Sequence, residues 1–410
     1  MNKSGVFVHW AYNAASALVP ILMIPHLLKT LGPNEYGDLA LIQIISFTTL
    51  IVVDCGLSTV GPKILAEARK SDGDCALPRR LLLLHFLMWV VASLLGFVWL
   101  TAVSSERFHL YGLSQLAVLA AFLPPAYLII HRGGQLTYGL LGIASRGIHL
   151  FTVLLFVRVE SDAWIYFLSN AAISLCSSLF LYRRYCFSND AICRSSGSTR
   201  NGLIDLWRMG LAQLSRRAAS VPITVVIPSL LAGHDDKALI ALYSLIDKIR
   251  TVVWQIINPV LAAFAAYHFS VEESARLASV YRVKRRFVFI ILSIVASTVL
   301  LPSFLATQQI LELANYPLSD TAIWCWRLGS IGAVPAIILA YAMSILSPDV
   351  VRGRRLTLAI WCCTAAVGLL SVPLMDVLGL HYAVLAMAIW ETLVVAMLFL
   401  HLPAATLTAK

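Results

Sequence analysis

The chain has 410 residues, of which 59% are hydrophobic and 13% are charged, and its formal net charge is +10. An ordinary soluble domain has roughly 45 to 50% apolar residues, so this composition excludes a soluble globular protein and indicates a polytopic membrane protein. The apolar runs are long and continuous and lack the alternating pattern of membrane β-barrel strands, so the predicted fold class is all-α.

Twelve apolar runs are long enough to cross a bilayer, because a spanning helix needs about 20 such residues. In chain order they lie at residues 6–28, 39–61, 81–103, 113–131, 134–157, 163–182, 206–232, 238–262, 286–306, 321–346, 356–374 and 379–402. The first run is longer than the apolar core of a signal peptide and no small-residue cleavage site follows it, so we expect a retained span. Almost no chain remains for a soluble domain.

The longest polar break, residues 183–205, follows the sixth run and is rich in Ser, Asn and Arg. We predict that it is a cytoplasmic linker between two six-helix halves, residues 1–182 and 206–410. A faint internal repeat supports this division, since Gly32 and Gly233 occupy corresponding turns that each follow two prolines. A substrate path is then expected between the halves. Segment 263–286 could be an amphipathic surface helix or a plain basic loop.

The basic residues between the runs predict the orientation, because short loops that hold Lys and Arg stay in the cytoplasm. With both termini inside, the predicted outer loops hold four basic residues, namely Lys29, Arg107, Arg158 and Lys237. The predicted inner segments hold the much larger share, including the cluster Arg282, Lys284, Arg285 and Arg286. None of the eight cysteines falls in a predicted outer loop, so no structural disulfide is expected. This asymmetry predicts a multi-pass protein with an even number of spans and both termini in the cytoplasm.

Nine ionisable residues interrupt the apolar runs. They are Asp54, Arg146, Arg216, Arg217, Asp247, Lys248, Arg250, Arg327 and Glu391. Each charge would cost roughly 2.5 to 3.5 kcal/mol at the centre of a lipid-exposed helix, so we expect these side chains to face the protein, water or a substrate. Counting about 1.5 Å per residue from the predicted helix starts puts four basic groups close to the midplane of the membrane. These four are Arg146, Arg216, Arg217 and Lys248.

Two interpretations of these charges stay open. Arg146, Arg216, Arg217, Lys248, Arg250 and Arg327 are candidate substrate-binding residues, because guanidinium and ammonium groups bind phosphate oxygens. Asp54, Asp247 and Glu391 are candidate proton-coupling groups or ion-pair partners of the bases. Arg327 is the least secure of the bases, because Trp324 and Trp326 suggest a belt at the membrane interface. His149 is interpreted as a packed or hydrogen-bonded core histidine.

Residues 31–61, LGPNEYGDLALIQIISFTTLIVVDCGLSTVG, resemble the first two spans of the O-antigen flippase (Wzx-type) family. That family belongs to the multidrug/oligosaccharidyl-lipid/polysaccharide (MOP) exporter superfamily. The matching positions are Leu31, Gly32, Glu35, Tyr36, Gly37, Gln43, Asp54, Gly56 and Leu57, with Cys55 where the family usually has an aromatic residue. Residues 241–267 look like the family's eighth span, with Tyr243, Lys248 and Pro259 in the expected places. The turn LGPNEYG by itself predicts a tight hairpin with Tyr36 anchored at the headgroups.

This resemblance implies a MATE-like fold and a flippase that moves an undecaprenyl-pyrophosphate-linked oligosaccharide from the cytoplasmic to the periplasmic leaflet by alternating access. The implied partners are the lipid-linked oligosaccharide, the membrane and, as candidates, a polysaccharide polymerase and a chain-length regulator. Scattered polar side chains such as Asn13, Gln43 and Tyr243 would contact the sugars. No motif predicts a cofactor, a metal site or nucleic-acid binding.

Two other functions compete with this one. A multidrug exporter of the same superfamily would bind cations, and the excess of basic over acidic groups within the spans argues against it. A membrane-embedded polysaccharide polymerase or ligase would need a substantial outer loop, and the longest predicted one, residues 307–320, offers only Glu312 and Asp320 as acids. We therefore do not expect an enzyme.

Overall fold

A computed structural model describes residues 3–58, 61, 65, 77–103, 107–123, 125–187, 207, 210, 214, 221–233, 237–248, 251, 303, 305–330, 335 and 350–406. Regular structure within these ranges is helical throughout. By its contacts the chain forms two compact units, one of Met1–Val221 with Asp235–Lys237 and one of Pro222–His234 with Ala238–Lys410. The predicted linker and half boundaries stay predictions, and residues 188–205 of that linker lie outside the described residues.

The first unit is built from long apolar helices. Their bounds are α1 Lys3–Asp54, α2 Leu77–Val103, α3 Phe108–Phe122, α4 Ala126–His131, α5 Gln135–Phe156 and α6 Ala163–Tyr182, which continues as a π-helical turn at Arg183–Phe187. Five stretches are long and apolar enough to cross a membrane: Ala11–Asp54, Arg80–Val103, Phe108–His131, Gln135–Phe156 and Glu160–Cys186. The first has 44 residues, about 66 Å and twice the thickness of a hydrocarbon core. It is broken at Gly32 and supplies two spans, so the six predicted spans of this part of the chain are confirmed.

The first turn is much tighter than the predicted loop. Gly32 alone leaves the helical conformation, with φ 76° and ψ 165°, a backbone conformation that only glycine adopts without strain. Pro33 follows as the first residue of the next helical stretch, where a missing N–H costs nothing. The polar residues after it are therefore helical. Tyr36 is 0% exposed, so its predicted role as a headgroup anchor is wrong.

Two further breaks shape this unit. The second span was predicted to run to residue 61, but its helix ends at Asp54, and Cys55 and Gly56 follow with φ values of 45° and 69°. The fourth span is divided into α3, which ends at Phe122, and α4, which begins after Pro125, and Pro125 has an extended conformation. Proline lacks the N–H that continues the helical hydrogen bonds. Both spans therefore end or continue at a break in the helical backbone.

The second part of the chain is described in shorter pieces. They are α7 Val221–Gly233, α8 at residues 237–248, α9 Thr307–Leu313, α10 at residues 320–330, α11 Val350–Leu378 and α12 Leu380–Thr406. The segment 307–320, predicted as an outer loop, contains α9, which buries Thr307 and Leu311, and its outer location stays a prediction. The segment 263–286 lies outside the described residues.

Trp326 is not part of an interface belt. It is 1% exposed, and its indole N–H donates a hydrogen bond to the carbonyl oxygen of Ser303 at 3.0 Å. Trp324, two residues earlier, is 53% exposed, as a residue at an interface can be. The predicted belt was thus wrong for one of the two tryptophans, because their side chains point to different sides of α10.

Candidate functional site

The nine charged residues fall into three groups. Arg216, Arg217 and Arg250 lie outside the described residues. Arg146 and Glu391 each lie eleven residues after the start of their helices, Gln135 and Leu380, and Lys248 lies eleven residues after residue 237, where the described part of α8 begins. At 1.5 Å per residue this is about 16 Å, close to half of a membrane's hydrocarbon core. Arg327 lies seven residues into α10, and its guanidinium stacks over the ring of Trp324 at 5.5 Å.

Asp54 occupies a different position from these mid-helix charges. It follows Pro33 by 21 residues, which at 1.5 Å each is about 32 Å, a full hydrocarbon thickness. Its carboxylate accepts hydrogen bonds from the backbone N–H and the hydroxyl of Ser58, at 3.1 and 2.8 Å. Asp54 therefore holds the bend that follows the second span, at the far end of that span from Gly32.

The acids Asp247 and Glu391 differ in exposure. Glu391 is 4% exposed on α12, whereas Asp247 is half-buried on α8. The predicted pairing of Asp247 with Arg250 lies outside the described residues, because Arg250 does. Beside Glu391, the buried indole of Trp390 donates a hydrogen bond to the Thr364 hydroxyl at 2.9 Å and so joins α12 to α11. Proton coupling by either acid stays a prediction.

Arg146 faces the interior of the first unit. The lipid-facing side of α5 is marked by Leu140, Ile148, Phe151 and Leu155, each more than half exposed. With 100° per residue, Arg146 lies about 160° around the helix from the centre of that stripe. Arg146 instead shares the buried side of α5 with Gly139, His149 and Val153. The expectation that this charge avoids lipid is met.

Small residues of α5 let α1 approach closely on this buried side. A Cβ atom added to Gly139 would lie 2.5 Å from Val8 Cγ1, and one added to Gly142 would lie 2.4 Å from two ring carbons of Tyr12. Farther along, His26 Nε2 lies 3.0 Å from the carbonyl oxygen of Val157. These three pairs are 130 or 131 residues apart, so the two helices run parallel in a constant register.

That register places residues 15 and 16 of α1 level with Arg146. The Ser16 hydroxyl is buried and, among the described residues, has no hydrogen-bond partner. One turn below, the rings of Tyr12 and Tyr138 meet edge to face with centroids 5.4 Å apart. Tyr138 precedes Arg146 by eight residues on α5. We call Arg146, Ser16, Tyr12 and Tyr138 the Arg146 site.

His149 lies about one helical turn after Arg146 on α5. Its Nδ1 atom lies 2.9 Å from the hydroxyl oxygen of Ser169, which donates its single proton to the carbonyl oxygen of Tyr166. His149 is 3% exposed, and its interpretation as a hydrogen-bonded core histidine is confirmed.

The electrostatics of the Arg146 site favour an anion. Within the part of the chain that the structure describes, no carboxylate forms an ion pair with Arg146. Arg146 is half-buried, and a charge withdrawn from water without a counter-ion is costly unless a ligand neutralises it. Guanidinium, serine hydroxyl and tyrosine hydroxyl groups all donate to phosphate oxygens. The sequence indicated Arg146, but Ser16, Tyr12 and Tyr138 were missed because their proximity depends on the α1–α5 register.

Solved structures resemble this chain over nearly all of its length. One is an inward-facing multidrug resistance MATE family transporter of the MOP superfamily, at 15% identity and TM-score 0.64, covering 96% of this chain and 100% of that one. The chain has a MATE-like fold. A second is the eukaryotic MATE transporter AtDTX14, at 13% identity and TM-score 0.54, covering 100% and 95%.

A third similar structure is a MOP superfamily transporter from Pyrococcus furiosus, at 15% identity and TM-score 0.51, covering 99% of this chain and 94% of that one. No protein-family model and no curated protein matches the sequence. Identities this low show the fold alone. They confirm an all-α, polytopic membrane fold, whereas membership of the O-antigen flippase family stays a prediction.

Proposed function

We propose that this protein is a flippase that translocates an undecaprenyl-pyrophosphate-linked oligosaccharide across a bacterial inner membrane by alternating access. The observation that carries the proposal is Arg146, a cation at mid-span that faces away from lipid. Its lack of a carboxylate partner within the described residues suits a ligand with a diphosphate. The MATE-like fold is common to transporters, and the resemblance in spans one, two and eight points to this class of cargo.

The polarity of the site separates this proposal from drug export. The Pyrococcus furiosus protein is described as having a binding pocket of reversed polarity that suggests a different function. Within a MATE-like fold, we therefore take the sign of the charge inside the protein as an indication of the charge of the transported molecule. Arg146 offers donors, as does the Ser16 hydroxyl, which has no hydrogen-bond partner in the described part of the chain; donors suit phosphate oxygens better than an organic cation.

The direct test is translocation of a lipid-linked oligosaccharide in proteoliposomes, read as the fraction reached by a sugar-modifying enzyme added on one side. We expect Arg146→Ala to slow translocation at least about tenfold, since a hydrogen bond to a charged group is worth about 1.5 to 3 kcal/mol. Arg146→Lys should retain part of the rate, because it keeps the charge but loses the paired donors.

The control is Arg158→Ala. Arg158 is exposed just after the end of α5, and its guanidinium donates a hydrogen bond to the carbonyl oxygen of Leu155, so its loss should leave the rate unchanged. Equal rates for Arg146→Ala and the unaltered protein would refute the proposed site. If the unaltered protein moved cationic drugs and left the lipid-linked oligosaccharide in place, it would be a multidrug exporter instead.

A further inference from the structure

Four side chains at the predicted outer side form a compact group of charges, which we call the outer cluster. It consists of Glu35, Asp38, Arg107 and Lys237. The Lys237 ammonium donates a hydrogen bond to Asp38 Oδ2 at 2.9 Å, and Arg107 Nε lies 3.5 Å from the same oxygen. The Arg107 guanidinium also donates to Glu35 Oε1. Two acids thus neutralise two of the four basic residues in the predicted outer loops.

The backbone of Lys237 is held as closely as its side chain. A Cβ atom added to Gly37 would lie 2.1 Å from the carbonyl oxygen of Lys237, so the glycine is required for this approach. These contacts group Lys237 with the first unit, although the residues that follow it in the chain belong to the second. The outer cluster therefore restrains α8 at its first described residue, Lys237.

The two cations of the cluster are held with different strength. The Asp38 side chain is 4% exposed, that of Arg107 is 24% and that of Lys237 is 38%. Removing the partner of a buried carboxylate is costly because an unpaired charge is left behind. Asp38 avoids this cost when Lys237 leaves, because Arg107 remains beside the same oxygen. Lys237 is already partly hydrated, so it is the member that can be released at low cost.

We propose that the outer cluster is a reversible clasp that binds Lys237 in one conformation of the transport cycle and releases it in another. Arg107 stays with Glu35 and Asp38 in both conformations. The proposal rests on the alternating access of the proposed function but not on the identity of the cargo. It predicts that weakening the Lys237 contact favours the released conformation.

A cysteine reporter in place of Ile42 tests the clasp without a substrate. Ile42 is 1% exposed and lies one helical turn beyond Asp38 on the same face of α1. The full-length protein with Ile42→Cys is treated in membranes with an impermeant thiol reagent from the outer side. Labelling of the chain without the reporter is subtracted as the background from native cysteines.

We expect Lys237→Gln to raise the labelling rate about tenfold, which corresponds to a loss of about 1.4 kcal/mol in the bound conformation. Lys237→Arg should return the rate to that of Lys237, because it restores the ion pair. Arg158→Gln, which removes an outer cation that lies outside the cluster, should have no effect. Added salt should raise the rate in the Lys237 protein and not in Lys237→Gln.

An unchanged rate in Lys237→Gln, or a Lys237→Arg rate as high as that of Lys237→Gln, would overturn the clasp. The identity of the transported molecule is tested independently of the clasp. If labelling follows the expected pattern while no lipid-linked oligosaccharide is moved, the proposed function fails and the clasp stands.

Discussion

The tight contact between α1 and α5 makes a sharp prediction about three glycines of one helix. In Gly142→Ala the new Cβ would lie 2.4 Å from two ring carbons of Tyr12, against the 3.5 to 4.0 Å of an ordinary carbon contact. The ring cannot easily turn away, since it packs against Tyr138. The helices must therefore separate by about 1 Å, and overpacking of this kind costs about 1 to 3 kcal/mol.

Gly147 on the same helix provides the matched control, because a Cβ added there meets nothing within 4 Å. Alanine in place of an interior helical glycine gains about 1 kcal/mol of helix propensity. This gain is the same in Gly147→Ala and Gly142→Ala, so the difference in stability between the two variants isolates the overpacking. Gly139→Ala should resemble Gly142→Ala, since its Cβ would lie 2.5 Å from Val8 Cγ1 and 3.3 Å from the Val8 carbonyl oxygen.

The assay is the apparent melting temperature of the purified full-length protein in detergent, at one scan rate because unfolding is irreversible for many such proteins. A difference of 1 kcal/mol shifts the melting temperature by about 2 to 4 °C in domains of 150 to 250 residues. We therefore expect Gly142→Ala to melt at least about 2 °C below Gly147→Ala. Equal melting temperatures would refute the close approach of α1 and α5, and with it the register that places Ser16 beside Arg146.

The remaining predictions concern two buried tryptophans of the second unit, measured by the same melting assay. Trp326→Phe should destabilise the protein by about 1 kcal/mol, because it removes the hydrogen bond from a buried indole to the carbonyl oxygen of Ser303, whereas Trp324→Phe, at an exposed position, should change little. Thr364→Val should cost a similar amount, since it removes the acceptor of the Trp390 indole between α11 and α12. Thr392→Val, at an exposed position of α12, is its control. A loss in the exposed variants equal to that in the buried ones would contradict the assigned hydrogen bonds.

The position of Arg146 shows how much could be predicted from residue order. Its depth depends only on the length of α5 and the rise per residue, and both follow from an apolar run that begins near Gln135. Its orientation away from lipid also follows, because a charge facing hydrocarbon is too costly. What surrounds it does not follow, since Ser16 and Tyr12 lie 130 residues or more away in the chain.

The turn after the first span is a feature that the sequence predicted incorrectly. Its glycine, proline and polar residues predicted a hairpin with Tyr36 at the headgroups, but Tyr36 is 0% exposed. The reversal takes place at Gly32 alone, so the residues after it are helical and pack inside the unit. Glu35 and Asp38 lie three residues apart on that helix and therefore share a face, a pattern that could have indicated a binding site for cations of the outer loops.

The sequence by itself determined the class of protein, the six spans of the first unit and the depth of the charge in α5, because hydrophobic length and the cost of burying charge act on each segment separately. The tertiary structure alone decided which residues face one another: Gly142 against Tyr12, His149 against Ser169, and Lys237 against Asp38. These pairs depend on the register between helices distant in the chain. That register is set by the packing of small residues against large ones, which no local pattern contains.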